Sequence, residues 1–274
     1  MALTRAFSTR WILFTSSVVT FATLCAAISP YAPDLSEDFY AKSCPQAAEI
    51  GCDVSVLLNS TATNSAEREA HVNFGLRGIK EVAVGQWWPV ALGRKDASES
   101  VDLLADANLP FPVFPFPLLV QNFARKYFSA REMVVLSGAH TIGQTHCNGV
   151  LPHLYNFTGG NNATDIDPAM NKGFATFLKK LCPQGNRTNT LFLDPIAGKF
   201  DNTYYKNVLA GKGIFITDST LITNSLGKKL VTSFAKAKST SSSSEFADGM
   251  VKMGNLGVLT GSQGEIRKQC QFVN

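Results

Sequence analysis

The sequence predicts a mainly α protein, and three observations carry that prediction. In "LLVQNFARKYF" the apolar residues Leu118, Leu119, Phe123 and Phe128 recur at helical spacing. Ser129 and Glu132 form the S-x-x-E pattern of a reciprocal helix cap ahead of an apolar run. Strand-like alternation is rare outside Val54, Val56 and the leucine pair that follows.

Composition sets the outer bounds. The 274 residues are 45% hydrophobic and 17% charged, which suits a packed globular core and is too interrupted for a membrane bundle. One domain is expected, with room for two lobes. Lys and Arg number 25 against 21 Asp and Glu, a formal charge of +4. That mild basic bias favours an acidic extracellular matrix as a neighbour and is far too weak for nucleic acid.

Residues 1–28 read as a secretory signal: Arg5 and Arg10 precede the apolar run "WILFTSSVVTFATLCAA", and Ala26, Ala27 and Ser29 surround a cleavage point. The run is short and Ser/Thr-rich for a transmembrane span. The mature chain, 29–274, is therefore expected outside the cell or in its wall, with the vacuole as the other destination. Sequons at Asn59, Asn156, Asn162 and Asn186 agree with that route.

Secretion also changes what cysteine means, because an oxidising compartment favours disulfides. Of Cys25, Cys44, Cys52, Cys147, Cys182 and Cys270, the first leaves with the signal, so an odd five remain. No C-x-x-C pair is present to build a structural zinc cluster.

Along the mature chain, "SEDFYAKSCPQAAEI" predicts a helix after Ser43, and Val54 and Val56 a short strand. "NLPFPVFPFP" is a proline-punctuated extended connector leading into the helix of Leu118 to Phe128. The capped helix after Ser129 is predicted to carry Met133, Leu136, His140 and Ile142 inward. "STSSSS" near residue 240 reads as a flexible surface loop, and no internal repeat is present.

"LSGAHTIGQTHC" is the stretch with chemical content. The small residues Ser137, Gly138 and Ala139 leave His140 open to something flat, so a metal macrocycle could dock on Nε2 if a partner fixed the other ring nitrogen. A core histidine bonded to a carbonyl is the alternative, and the motif alone leaves both open.

The chain resembles the class III secretory plant haem peroxidases. "FYAKSCP", "GCDVSVLL", "PVALGRKD", "NLPFP", "FSAREMVVLSGAHTIGQTHC", "KFDNTYYKNVL" and "MVKMGNLGVLTGSQGEIRKQC" resemble family segments, in family order, from residue 36 to the C-terminus. The resemblance implies a two-lobed, mainly α fold with haem b between the lobes, calcium on each side, and oxidation of small phenolic donors by hydrogen peroxide. It implies that His140 is the proximal iron ligand and that Asp218, in "GIFITDSTL", bonds its far nitrogen. A carboxylate there would push electron density towards iron. Thr141, Asp194 and Asp201 match the proximal calcium site, although Ala197 replaces a usual threonine and the two aspartates stand one residue closer than usual. Gly51, Asp53 and Ser55 match part of the distal calcium site, and Pro110 the substrate-access proline.

Two departures accompany the resemblance. Ile50 runs directly into Gly51, where the family has a helix bearing an arginine and the distal histidine, and a second helix is missing near 82/83. The resemblance pairs Cys147 with Cys182 and leaves Cys44, Cys52 and Cys270 without partners, which matches the odd count. The distal lobe is thus expected to be incomplete, with no distal catalytic residue retained. His71 is placed on the access loop rather than in the lost histidine's role, while Glu67 and Asn73 support groups that are gone. His146 and His153 carry no comparable signal and read as structural or exposed. Two function classes follow: a secreted peroxidase with impaired turnover, or a noncatalytic haem- or wall-binding product, including one from a mis-spliced or mispredicted transcript.

Overall fold

The computed structural model describes residues 35–36, 42, 88, 90–99, 107–194, 199–268 and 273–274. Outside the described residues lie the signal segment, the helix after Ser43, the Val54 strand, both junctions, Cys44, Cys52, Cys270, Asn59, Ala197, and the expectations for Gly51, Asp53, Ser55, Glu67, His71 and Asn73.

Helix α1, Phe116–Ala124, starts inside the proline-rich connector: Pro115 is its N-cap, and Pro117 falls in the first turn, where a missing N–H costs nothing. Phe116 and Leu119 are buried, whereas Leu118 is 44% exposed, off the face those two define. Leu118 is thus not a core position. The chain breaks the helix with Tyr127 at φ 64°, and Phe128 folds back edge-on to Phe123.

Helix α2, Ala130–Ser137, has the expected cap: Glu132 N–H donates to Ser129 Oγ at 3.2 Å, and Ser129 N–H to Glu132 Oε2 at 2.7 Å. Met133, Val134, Val135 and Leu136 are all buried, so that turn of the helix is enclosed, while Arg131 in the first turn is exposed. It does not run on through His140. The chain tightens into a 3₁₀ turn, Gly138–Thr141, and then enters strand β1, Gln144–His146.

Strand β1 pairs antiparallel with β2, Thr190–Phe192, with Thr145 opposite Leu191. Between them lie α3, Leu151–Tyr155, and α4, Lys172–Leu181, the latter capped by the Asn171 side chain on Phe174 N–H. Cys147 follows β1 and Cys182 closes α4, and a disulfide joins them. Around it Val150, Leu154, Leu178, Leu191 and Ile214 form a compact apolar cluster.

The larger core lies under α2, α5 (Thr203–Leu209), α7 (Ser225–Lys236) and α8 (Ser239–Gly254), with α6 (Ile216–Thr223) alongside. Helix α7 packs on α5, and α8 on α2. The "STSSSS" run is not a loop, because it forms the first turns of α8. Phe246, Ala247, Met250 and Val251 pack that helix on the core, and their burial outweighs the weak helix propensity of serine. Among the described residues no helix is long and apolar enough to cross a membrane. The fold is mainly α, as the sequence predicts.

Candidate active site around His140

His140 sits in the 3₁₀ turn after α2, with its side chain 34% exposed. Gly138 is buried, and a Cβ there would run into the hydroxyl of Tyr205, which donates to Val135 O at 2.9 Å. Ser137 Oγ turns back to Met133 O at 2.9 Å, and Ala139 packs on the larger core.

Asp218 stands in the first turn of α6 and is 2% exposed. Its Oδ2 accepts the amides of Phe215 at 2.9 Å and Ile214 at 3.1 Å. Its Oδ1 accepts the Tyr204 hydroxyl at 2.8 Å and lies 2.9 Å from His140 Nδ1. The positive end of α6 adds to these four donors. The approach depends on Gly213, where a Cβ would fall 2.6 Å from Asp218 Cβ. Phe215 and Tyr204 flank the imidazole edge-on, with ring centroids at 5.1 and 5.9 Å.

Burial pushes the Asp218 carboxyl up, but His140, the Phe215 amide and Tyr204 outweigh it and hold the group below its ordinary value. Burial pulls the His140 imidazole down, and the Asp218 charge more than reverses that. An ionised carboxylate only accepts, so Nδ1 carries a proton, and in the neutral imidazole the lone pair is on Nε2. Nε2 has no hydrogen-bond partner among the described residues. An anchored imidazole with a half-open basic nitrogen is the donor that a haem iron takes, so the residues present fit the group.

Thr141 and Asp194 are almost wholly buried. Thr141 Oγ1 lies 3.5 Å from Lys199 O, and Asp201 caps Thr203 N–H through Oδ1 at 2.7 Å. Hydroxyl, carbonyl and carboxylate oxygens are the donor types that a hard cation takes. No cluster of three His, Cys, Asp or Glu residues is found among the described residues. Pro110 is exposed, and its segment is tied to α6, since Thr217 N–H donates to Pro112 O at 3.1 Å. His146 is exposed and bonds Thr188 O. His153 is fully buried against Asp167.

Sequence reasoning missed Tyr204 and the Ile214 and Phe215 amides. The glycine just ahead of "IFITD" is the one available signal, marking a close approach of backbone to the carboxylate.

Residues 78–237 match the peroxidase family. The chain is 37% identical to Peroxidase 1 of Arabidopsis thaliana over 306 residues, covering 88% of this chain and 92% of the relative. It is 35% identical to Peroxidase 1 of Oryza sativa subsp. japonica over 325 residues, covering 94% and 99%. Peroxidase 66 of Arabidopsis thaliana is 34% identical over 319 residues, covering 93% and 96%. Each of these alignments is longer than the 274-residue chain.

Proposed function

The chain belongs to the peroxidase family, and on that premise we propose a secreted haem enzyme that oxidises small phenolic donors with hydrogen peroxide at impaired turnover. The observation that carries the reading is the His140–Asp218 couple, an imidazole fixed at Nδ1 and open at Nε2.

Haem, when bound, supplies the iron at which the oxygen–oxygen bond of peroxide is cleaved. His140 would hold that iron through Nε2. Asp218 keeps the Nδ1 proton in a strong hydrogen bond, which gives the imidazole anionic character and favours high oxidation states. Tyr204, sharing the same carboxylate oxygen, moderates that push. Thr141, Asp194 and Asp201 would hold calcium beside the turn that bears His140, with Gly51, Asp53 and Ser55 as the remnant of a second calcium site. Pro110, on the segment clamped to α6, would line donor access.

Impairment rests on what peroxide cleavage requires. A base must move a proton between the two oxygens, and a cation must stabilise the developing charge. The alignments longer than the chain support the reading that the segment with those groups, at 50/51, is absent, as is a second near 82/83. The same observation favours the noncatalytic, mis-spliced or mispredicted alternative. Secretion rests on residues 1–28, and association with acidic wall polysaccharide on the charge of +4 alone.

Acid–base catalysis contributes about 10²- to 10⁴-fold, and a charge stabiliser roughly 10²- to 10³-fold more, without simple multiplication. Stopped-flow mixing of the haem-loaded chain with hydrogen peroxide tests the proposal. The reaction is expected to be at least about a hundredfold slower than that of a relative with the complete segment. A rate constant within about tenfold would overturn the impairment and point to His71 as a substitute base.

A further inference from the structure

His153 is 0% exposed, Asp167 4% and Ser219 2%. His153 Nδ1 lies 2.9 Å from Ile214 O, and its Nε2 lies 2.7 Å from Asp167 Oδ2 and 3.1 Å from Ser219 Oγ. Both ring nitrogens are thus engaged, one by a carbonyl and the other by a carboxylate. Asp167 is fixed in turn: its Oδ1 accepts Ala169 N–H at 2.7 Å, and its own N–H donates to His153 O at 3.1 Å.

The placement of this pair is what matters. Ile214 is gripped at both ends, its carbonyl by His153 and its N–H by Asp218 Oδ2 at 3.1 Å. Ser219 directly follows Asp218. The His153 ring therefore spans the base of the turn, from Ile214 to Ser219, that aims Asp218 at His140. A buried polar pair contributes little to stability alone, since apolar side chains of similar volume usually stabilise as well or better. Its directionality is what an apolar pair would lack.

We propose that His153 and Asp167 are positioning residues for the His140–Asp218 couple, holding the turn in the one setting that keeps the carboxylate on Nδ1. The proposal rests on the reading of His140 given above and adds residues to it.

The test follows the His140 Nδ1 proton by NMR in the full-length, haem-free chain, well below its melting temperature. In His153→Gln and Asp167→Asn, exchange of that proton with water is expected to quicken by about tenfold, the scale of one lost charge-assisted hydrogen bond. Ser219→Ala is expected to give a smaller change in the same direction. Exchange at the parent rate in a variant with a lowered Tm would overturn the proposal, leaving the pair as structural filling. If His153→Gln does not fold, Ser219→Ala decides by the same readout. In the haem-loaded chain, an iron reduction potential that Asp218→Asn leaves unmoved would overturn the ligand reading of His140, while the proton-exchange result would still decide the positioning role.

Discussion

Nδ1 of His140 and Oδ1 of Asp218 stand 2.9 Å apart across 78 residues of sequence, and that carboxylate oxygen is shared with the hydroxyl of Tyr204. Sharing makes the couple tunable in two directions.

Tyr204→Phe and Asp218→Asn are predicted to move the iron potential in opposite senses. Losing the hydroxyl leaves the carboxylate a stronger acceptor for Nδ1–H, so the imidazole gains anionic character and the potential falls. Losing the carboxylate charge raises it. Spectroelectrochemistry of the two haem-loaded variants checks this, and shifts of the same sign would contradict it. Tyr204→Phe should also cost about 1.5 to 3 kcal/mol of stability, the range for a hydrogen bond to a charged group.

Gly213→Ala is predicted to destabilise by about 1 to 3 kcal/mol, because the added methyl meets Asp218 Cβ at 2.6 Å and Ser219 N at 3.2 Å, and neither can swing away. Thermal melting reads the loss. A Tm equal to the parent's would mean that the turn is looser than its hydrogen bonds imply.

The legibility of these features in the sequence was uneven, for physical reasons. Ser129 and Glu132 announce α2 because a helix cap is a local device, complete within four residues. The closeness of Gly138 to Tyr205 is not legible in the sequence, because the contact is made across the fold. "STSSSS" was read as a loop because the force that makes it helical comes from Phe246 onwards and from the core beneath. The short pairing of β1 with β2 left no alternation long enough to notice. His140 and Asp218 were linked only through family resemblance, and His153 was passed over, since a lone histidine in sequence does not reveal the carbonyl and carboxylate that meet it.

Cys147 and Cys182, 35 residues apart, close a loop whose disulfide should contribute about 3 to 4 kcal/mol. Peptide mapping without reduction is expected to recover that bridge and no common native pairing among Cys44, Cys52 and Cys270. Replacing both bridged cysteines with serine should lower the urea midpoint accordingly. An unchanged midpoint would contradict the assignment.

Acid should destabilise the chain. Burial raises the Asp167 carboxyl, but His153, the Ala169 amide and Ser219 outweigh it and set the folded value below the ordinary one; Lys252 and Ser129 do the same for Glu132. A carboxyl held low in the folded state contributes stability above its unfolded value, near pH 4, and loses it as pH falls through the folded value. The Tm is therefore predicted to drop as pH falls below about 4. In Asp167→Asn the drop should be shallower. A Tm that rises as pH falls from about 5 to 3 would contradict the assigned partners.

Haem binding through His140 is tested most directly by the Soret band. Full-length chain reconstituted with haem is predicted to show it, His140→Ala to lose most of it, and added imidazole to restore part of it by entering the vacated position. Asp218→Asn should keep the band, because the carboxylate tunes the ligand without touching iron. A His140→Ala spectrum indistinguishable from the parent's would contradict the assignment and place the axial ligand elsewhere in the chain.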